Sequence, residues 1–326
     1  MKRTKQIRVA CWTSPYKDRG QAHDISVNAE EALRAIESLH SFQPDLICLP
    51  ENFLCAGVRY ANARAVALAD GHPLLAQFSA FARDHSVQVA LPFLEEAGGT
   101  VFNSLTVFAR DGSRLGTYRK RLLWPSNQRF TEFEYGVAPG LTSPIIDTEA
   151  GPVGVQICIE VNWSAGWAEF REKDVRLILY PSEQRAGAGL HYRAWEAQSF
   201  ILAAVSKGGP SCLISPMGKT IAQWGPESPQ PVADIGLDYE FVHLDYNDNK
   251  LRNLRAQFGG EVRICEYEDE RICLVTSLDP SLSAADMLAQ GGIVPLRNYL
   301  SNIRGACENS QAANRVYAAG MAGEKR

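Results

Sequence analysis

Three apolar runs of the sequence end in ionisable side chains that could take part in nucleophilic catalysis. Glu51 follows the run DLICLP, Lys120 follows LGTYR, and Cys158 follows VGVQI. A thiol is a useful nucleophile once a base has removed its proton, and Glu51 could act as that base. The ammonium group of Lys120 could stabilise negative charge that develops on a substrate oxygen. The three residues therefore supply a base, an electrostatic stabiliser and an attacking atom.

These residues need a scaffold that brings the ends of separate strands together, and the sequence has the pattern of an α/β domain. Short runs rich in Val, Ile and Leu alternate with longer amphipathic stretches, as strands and helices do in such domains. Asp111-Gly112 and Met217-Gly218 predict two hairpin turns. Residues 121–141 have no clean period and predict a long, structured loop. Since ligands bind beyond the carboxyl ends of strands in such sheets, we expect Glu51, Lys120 and Cys158 to lie in one crevice.

The composition argues against several other classes of protein. The net charge is −4, with 45% hydrophobic and 21% charged residues. This composition does not predict the basic face of a nucleic-acid-binding protein. No stretch reaches the roughly 18 apolar residues of a membrane span, and the N-terminus has no apolar signal region. The eight cysteines form no C-x-x-C pair, so a zinc site is not expected and free thiols in a reducing cytoplasm are.

The order of the motifs resembles that of the nitrilase, or carbon–nitrogen hydrolase, superfamily over roughly residues 6 to 280. The matching segments are DLICLPE, YRK, GVQICIE, LILYPS, RAWEAQSFILAAVS and SCLISPMG. The resemblance implies a four-layer α-β-β-α sandwich and a Glu-Lys-Cys triad formed by Glu51, Lys120 and Cys158. It also implies that no cofactor and no metal ion are needed. Alternatively, Cys158 is a buried core thiol and the two charged residues are solvated strand ends.

The resemblance further implies a mechanism through an acyl-thioester. The sulfur of Cys158 would attack the substrate carbon while Glu51 takes the thiol proton, and Lys120 with the backbone N–H of Ile159 would hold the oxyanion. Glu51 would then protonate the leaving amine and activate water for hydrolysis of the thioester.

The family usually has a second Glu after the Lys loop, and the counterpart here is the segment TEFEYGVAPG. Its spacing differs from the usual one, so Glu132 and Glu134 are both candidates. We prefer Glu132 on the sequence.

The segment C-I-E-V-N, residues 158–162, differs from the C-Y-D-x-R of many amidases and carbamoylases in the family. An Arg at the fifth position often binds a substrate carboxylate, which Asn162 cannot do, although Arg185 or Arg193 could compensate. Glu160 is expected to be structural and to position the loop around Cys158. Arg193 and Glu196 lie three residues apart on a predicted helix and could simply form an ion pair.

Amide or carbamoyl hydrolysis is the preferred interpretation, with a small molecule as substrate. The alternatives are nitrile hydrolysis, transfer of the acyl group to an amine, and a non-enzymatic scaffold. Residues 1–280 are expected to form the hydrolase domain. Residues 281–326 are small-residue-rich and weakly periodic, and they are expected to form a tail that crosses onto a partner subunit, since family members usually associate into homodimers or larger assemblies.

Overall fold

The computed structural model describes residues 6–15, 24–207, 209–225 and 231–323, with side chains described as far as residue 311. The chain divides into two compact units, Met1–Ile235 and Gly236–Arg326. The boundary at residue 280 between a hydrolase domain and a C-terminal tail stays a prediction.

The described residues of the first unit form two sheets and four α-helices. Its strands are β1 Gln6–Cys11, β2 Leu46–Cys48, β3 Leu68–Ala69, β4 Gln88–Ala97, β5 Thr100–Phe108, β6 Arg114–Arg119, β7 Ile146–Thr148, β8 Gly151–Val155, β9 Leu177–Ser182, β10 Phe200–Val205, β11 Ser211–Ile214, β12 Thr220–Trp224 and β13 Ala233–Gly236. Its helices are α1 Ile25–His40, α2 Pro73–Asp84, α3 Ala165–Glu172 and α4 Ala188–Ala197. Both predicted hairpins are present, as the pairs β5 with β6 and β11 with β12.

The first sheet brings the residues after β2 and β6 to the same edge. Its strand order is β13-β1-β2-β4-β5-β6, with β3 beside β4. β1, β2 and β4 are parallel, whereas β5 is antiparallel to both β4 and β6. Because β6 therefore runs in the same direction as β2, Lys120 and Glu51 leave the sheet on one side.

The second sheet has the order β12-β11-β10-β9-β8-β7. β8, β9 and β10 are parallel, so the segments after β8 and β9 also leave this sheet on one side. Cys158 lies three residues beyond the end of β8.

Helices cover the outer face of each sheet in this unit. Ile36 of α1 and Phe78 of α2 share a buried cluster with Ile47 of the first sheet, and the second sheet has an equivalent cluster with Trp167 of α3. β10 of the second sheet contacts β1 and β2 of the first. The layers are therefore helix, sheet, sheet and helix, and the predicted four-layer α-β-β-α sandwich is confirmed.

Among its described residues, the second unit contains a three-stranded sheet in the order β14-β16-β15 and three α-helices. The elements are β14 Tyr239–His243, β15 Val262–Tyr267, β16 Ile272–Ser277, α5 Asp248–Phe258, α6 Ala284–Gln290 and α7 Leu296–Gly323. Met287, Leu288 and Ile293, from the predicted tail, are buried together with Leu251 of α5. The first part of the predicted tail is thus core of this unit, whereas Leu300 and Ile303 of α7 are 48% and 44% exposed.

Among the helices of the described ranges, none combines the length and the hydropathy that crossing a bilayer requires.

Candidate active site

Lys120 lies between two carboxylates in the interior of the first unit. Its Nζ atom is 2.7 Å from Oε1 of Glu51 and 2.6 Å from Oε1 of Glu134. The side chains of Lys120 and Glu51 are 1% and 2% exposed. Charges so deeply buried require partners because water cannot solvate them, and each ion here has at least one opposite charge within hydrogen-bonding distance.

Asn103 holds the two carboxylates in place. Its Nδ2 group donates to Oε1 of Glu51 at 2.9 Å and to Oε2 of Glu134 at 2.8 Å. Asn103 lies in β5, in the segment VFNSLTVF, and is 1% exposed. The sequence patterns assign Asn103 no catalytic role, and the signal that could have found it is a polar side chain within an apolar strand.

Glu134, not Glu132, is the second glutamate beside Lys120. Glu134 also accepts a hydrogen bond from the backbone N–H of Trp124 at 3.1 Å. Glu132 is exposed, so the preference for Glu132 is corrected in favour of the other candidate. Glu134, Tyr135 and Gly136 have φ angles of 44°, 60° and 102°. Three successive residues in this unusual region make a sharp turn in the segment that brings Glu134 to Lys120.

Cys158 begins a 3-10 helix, Cys158–Asn162, just beyond β8. Its φ angle of 50° lies in the left-handed region that non-glycine residues rarely adopt. The hydroxyl of Tyr180 donates to the carbonyl oxygen of Cys158 at 2.5 Å. Cys158 is thus held just beyond the carboxyl end of β8, in a backbone conformation that the surrounding structure must stabilise.

One cavity of about 550 Å³ brings together Cys158, Glu51, Lys120 and Glu134. Ile159 and Asn162 also line it, and the Nδ2 group of Asn162 donates to the carbonyl oxygen of Ile159 at 2.9 Å. The three residues predicted to form a triad therefore meet, although they come from two different sheets.

Glu160 does not line this cavity and instead joins the segments that carry Lys120 and Cys158. Its Oε1 accepts hydrogen bonds from the hydroxyl of Tyr118 at 2.6 Å and from the backbone N–H of Arg121 at 2.9 Å. Its Oε2 accepts from the backbone N–H of Ile157 at 2.7 Å. These bonds fit the expected structural role of Glu160, since they fix the residues directly after Lys120 and directly before Cys158.

Arg193 of α4 is 7% exposed and supports the same region from the other side. It donates to the carbonyl oxygen of Val161 at 2.7 Å, to Oγ of Ser164 at 2.7 Å and to Oε2 of Glu196 at 2.6 Å. The expected ion pair with Glu196 is present. Because these contacts occupy the guanidinium, Arg193 is not available to a substrate.

A family model for carbon–nitrogen hydrolases matches residues 8–240. The chain belongs to the carbon–nitrogen hydrolase family. The resemblance drawn from the sequence motifs is therefore confirmed at the level of the family.

This carbon–nitrogen hydrolase is similar to curated relatives with named activities. It is 30% identical to omega-amidase NIT2 of Danio rerio over 165 residues. This aligned region covers 44% of the chain and 59% of that protein. It is 24% identical over 241 residues to the nitrilase and fragile histidine triad fusion protein NitFhit of Caenorhabditis elegans, covering 67% and 55%. The chain thus spans little more than half the length of either relative.

The fold agrees with a solved structure, that of Nit3 of Saccharomyces cerevisiae, a member of the nitrilase superfamily. The TM-score is 0.58 at 20% sequence identity, with 80% of this chain and 97% of that chain covered.

The ionisable side chains in the cavity of this carbon–nitrogen hydrolase shift one another's pKa values. Burial acts to lower the pKa of Lys120, but Glu51 and Glu134 outweigh it and raise that pKa well above its ordinary value. Burial raises the pKa of Glu51, and Lys120 counteracts this effect only in part. Burial and the charge of Glu51 together raise the pKa of Cys158 to about 12. The lysine is therefore charged at neutral pH, while the thiol keeps its proton until a base removes it.

No group of three or more His, Cys, Asp or Glu in the described part of the chain has an arrangement that could hold a metal ion. All eight cysteines, each within the described ranges, are free thiols.

Proposed function

We propose that this chain hydrolyses the non-peptide C–N bond of a small amide or carbamoyl compound through an acyl-thioester on Cys158, with release of ammonia or an amine. The observation that carries the proposal is the shared cavity in which Cys158 faces the buried pair of Glu51 and Lys120. Membership of the carbon–nitrogen hydrolase family and similarity to an omega-amidase support it.

Acylation begins with a protonated thiol, because the pKa of Cys158 is raised to about 12. Glu51 is the base that removes this proton as the sulfur attacks the carbonyl carbon, which gives a tetrahedral intermediate with a negative oxygen. The raised pKa of Glu51 brings its basicity closer to neutral pH than that of an exposed carboxylate, which favours proton transfer in both directions.

Lys120 stabilises the negative oxygen of this intermediate, since its ammonium is charged and fixed in place by Glu51 and Glu134. The backbone N–H of Ile159 is the second proposed donor. One such donor contributes roughly 3 to 4 kcal/mol to transition-state stabilisation in other acyl-transfer enzymes. Because the ammonium is preorganised, its orientation costs no further reorganisation during the reaction.

Collapse of the intermediate breaks the C–N bond, and Glu51 returns the proton to the departing nitrogen. Ammonia then leaves, and the acyl group stays on the sulfur of Cys158. Glu51 next takes a proton from a water molecule, which attacks the thioester and releases a carboxylic acid. Cys158 recovers its proton, so the enzyme returns to its starting state.

The proposal is tested by an ammonia-release screen across aliphatic amides, ω-amides, carbamoyl compounds and nitriles. We expect release from amides by the wild type and none by Cys158→Ala. Release that persists in Cys158→Ala would overturn the thioester mechanism, and a response restricted to nitriles would favour nitrile hydrolysis. Amide formation in the presence of added amines, without release of the acid, would favour acyl transfer.

Two further expectations from the sequence stay proposals. The free state of all eight cysteines supports a reducing compartment such as the cytoplasm. The exposed apolar residues Leu300 and Ile303 of α7 support a role for this helix in self-association.

A further inference from the structure

We propose that Arg185 binds a carboxylate of the substrate, so that the preferred substrates are small amides with a negatively charged group at their other end. This inference rests on the proposed amide hydrolysis at Cys158, and it adds a chemical class of substrate and a residue that selects it.

Arg185 lines the same cavity as Cys158 and is exposed there. Within the described ranges, its guanidinium has no hydrogen bond or ion pair. The planar guanidinium presents donors in a fork that matches the two oxygens of a carboxylate. A charged group of this geometry, directed to a substrate cavity and without a protein partner, is suited to an anionic ligand.

Two other basic side chains in this region, Lys120 and Lys207, are already neutralised. Lys120, which also lines the cavity, is 1% exposed and bonded to two carboxylates. Lys207 pairs with Glu183. A substrate carboxylate that enters the cavity would therefore be attracted to Arg185.

The carboxylates that line the cavity strengthen this selection. Glu51 and Glu134 lie around Lys120 at the reaction centre, and a further negative charge placed there would be repelled. The negative end of a substrate must therefore lie away from Cys158, while its neutral amide lies next to the thiol. Glu183 is an unsuitable site for a cationic substrate, because its carboxylate already accepts hydrogen bonds from Asn52 and Lys207.

The segment that carries Arg185 is fixed to the catalytic centre. The backbone N–H of Glu183 donates to Oε2 of Glu51 at 3.0 Å, and that of Gln184 donates to Oγ of Ser182 at 3.2 Å. The aliphatic part of the Arg185 side chain packs against Gly209, where an added Cβ would lie 2.2 Å from Cδ of Arg185. Only a residue without a side chain leaves room for the arginine in this position.

The experiment compares two probes that differ in charge, succinamate and its neutral methyl ester, with ammonia release as the readout. We expect the wild type to have a higher kcat/KM for succinamate. We expect Arg185→Gln to lower the ratio of kcat/KM for succinamate over the ester by about 10- to 100-fold, as loss of a charge-assisted contact predicts. Arg185→Lys should recover part of the ratio, because it keeps the charge and loses the fork.

Two variants serve as comparisons. Gly209→Ala keeps the charge of Arg185 but displaces its side chain, so it should lower the same ratio. Arg171→Gln, on the exposed surface of α3, removes an equal charge away from the cavity and should leave the ratio as in the wild type. A ratio in Arg185→Gln equal to that of the wild type would overturn the inference, even if Cys158-dependent amide hydrolysis is present.

Binding gives a second readout that does not depend on turnover. The proposal predicts that succinate binds to Cys158→Ala and that its Kd rises about 10- to 100-fold when Arg185→Gln is added. Equal affinity in the two proteins would reject Arg185 as the anion site. Absence of ammonia release from every amide, together with intact succinate binding, would instead count against the proposed hydrolysis.

Discussion

The ammonium of Lys120 and the carboxylate of Glu134 are 2.6 Å apart, and Glu134 is the second carboxylate bonded to this buried lysine. Glu134 helps to raise the pKa of Lys120 and shares the donor Asn103 with Glu51. The lysine is thereby kept charged and pointed at the cavity.

Glu134→Gln should therefore weaken catalysis, because it removes one of the two negative charges that keep Lys120 ionised and oriented. We expect kcat to fall by about 100-fold, measured as ammonia release on the best amide of the screen. Glu132→Gln, two residues away and exposed, is the matched control and should keep the wild-type kcat. Equal losses in the two variants would contradict the assignment of Glu134.

The reactivity of Cys158 should depend on Glu51 in opposite ways for alkylation and for catalysis. Since the negative charge of Glu51 raises the pKa of the thiol and Lys120 lowers it, Glu51→Gln should lower that pKa. More thiolate then exists at any pH below about 12, and alkylation at alkaline pH should be faster in Glu51→Gln. Amide hydrolysis should nevertheless be lost, because the base is missing.

Iodoacetamide labelling of Cys158, followed site by site with mass spectrometry, separates this thiol from the exposed Cys265 and Cys307. The wild type should label slowly at neutral pH, with a rate that rises as the pH approaches about 12. Slower alkylation of Glu51→Gln than of the wild type at alkaline pH would disprove the electrostatic account.

Glu160 is predicted to matter for stability through its four hydrogen bonds from Tyr118, Arg121, Leu122 and Ile157. An amide in its place has one acceptor oxygen and turns an NH₂ group toward backbone donors. Glu160→Gln should lower the free energy of unfolding by about 2 kcal/mol, measured by urea denaturation. Glu172→Gln, at an exposed position, should cost much less, and similar losses in the two variants would refute the structural role.

Two truncations separate folding from self-association at the C-terminal end. Removal of residues 281–326 deletes the buried Met287 and Leu288 and should unfold the second unit, because their burial contributes several kcal/mol. Removal of residues 302–326 keeps these side chains and deletes the exposed Ile303. We expect this shorter deletion to leave a folded protein of smaller assembly size, as measured by light scattering and circular dichroism. An unchanged number of subunits in the assembly would exclude the helix as an oligomerisation arm.

The sequence by itself determined the α/β fold and the positions of Glu51, Lys120 and Cys158. These features are readable because they depend on short-range patterns. Apolar runs mark strands, the residue after a run marks the edge of a sheet, and a charged or thiol group at that edge stands out. Asn103 was also visible as a polar residue in an apolar strand, although its two carboxylate partners were not.

The tertiary structure decided which of several similar residues enters the cavity. Glu132 and Glu134 lie in a loop with no period, and the direction of each side chain depends on left-handed backbone angles at residues 134–136 that no pattern indicates. Arg185 and Arg193 are equivalent candidates in sequence, yet Arg193 is bonded to the carbonyl oxygen of Val161 and only Arg185 lines the cavity. Such choices depend on partners far away along the chain, so they become visible only when the two sheets have packed together.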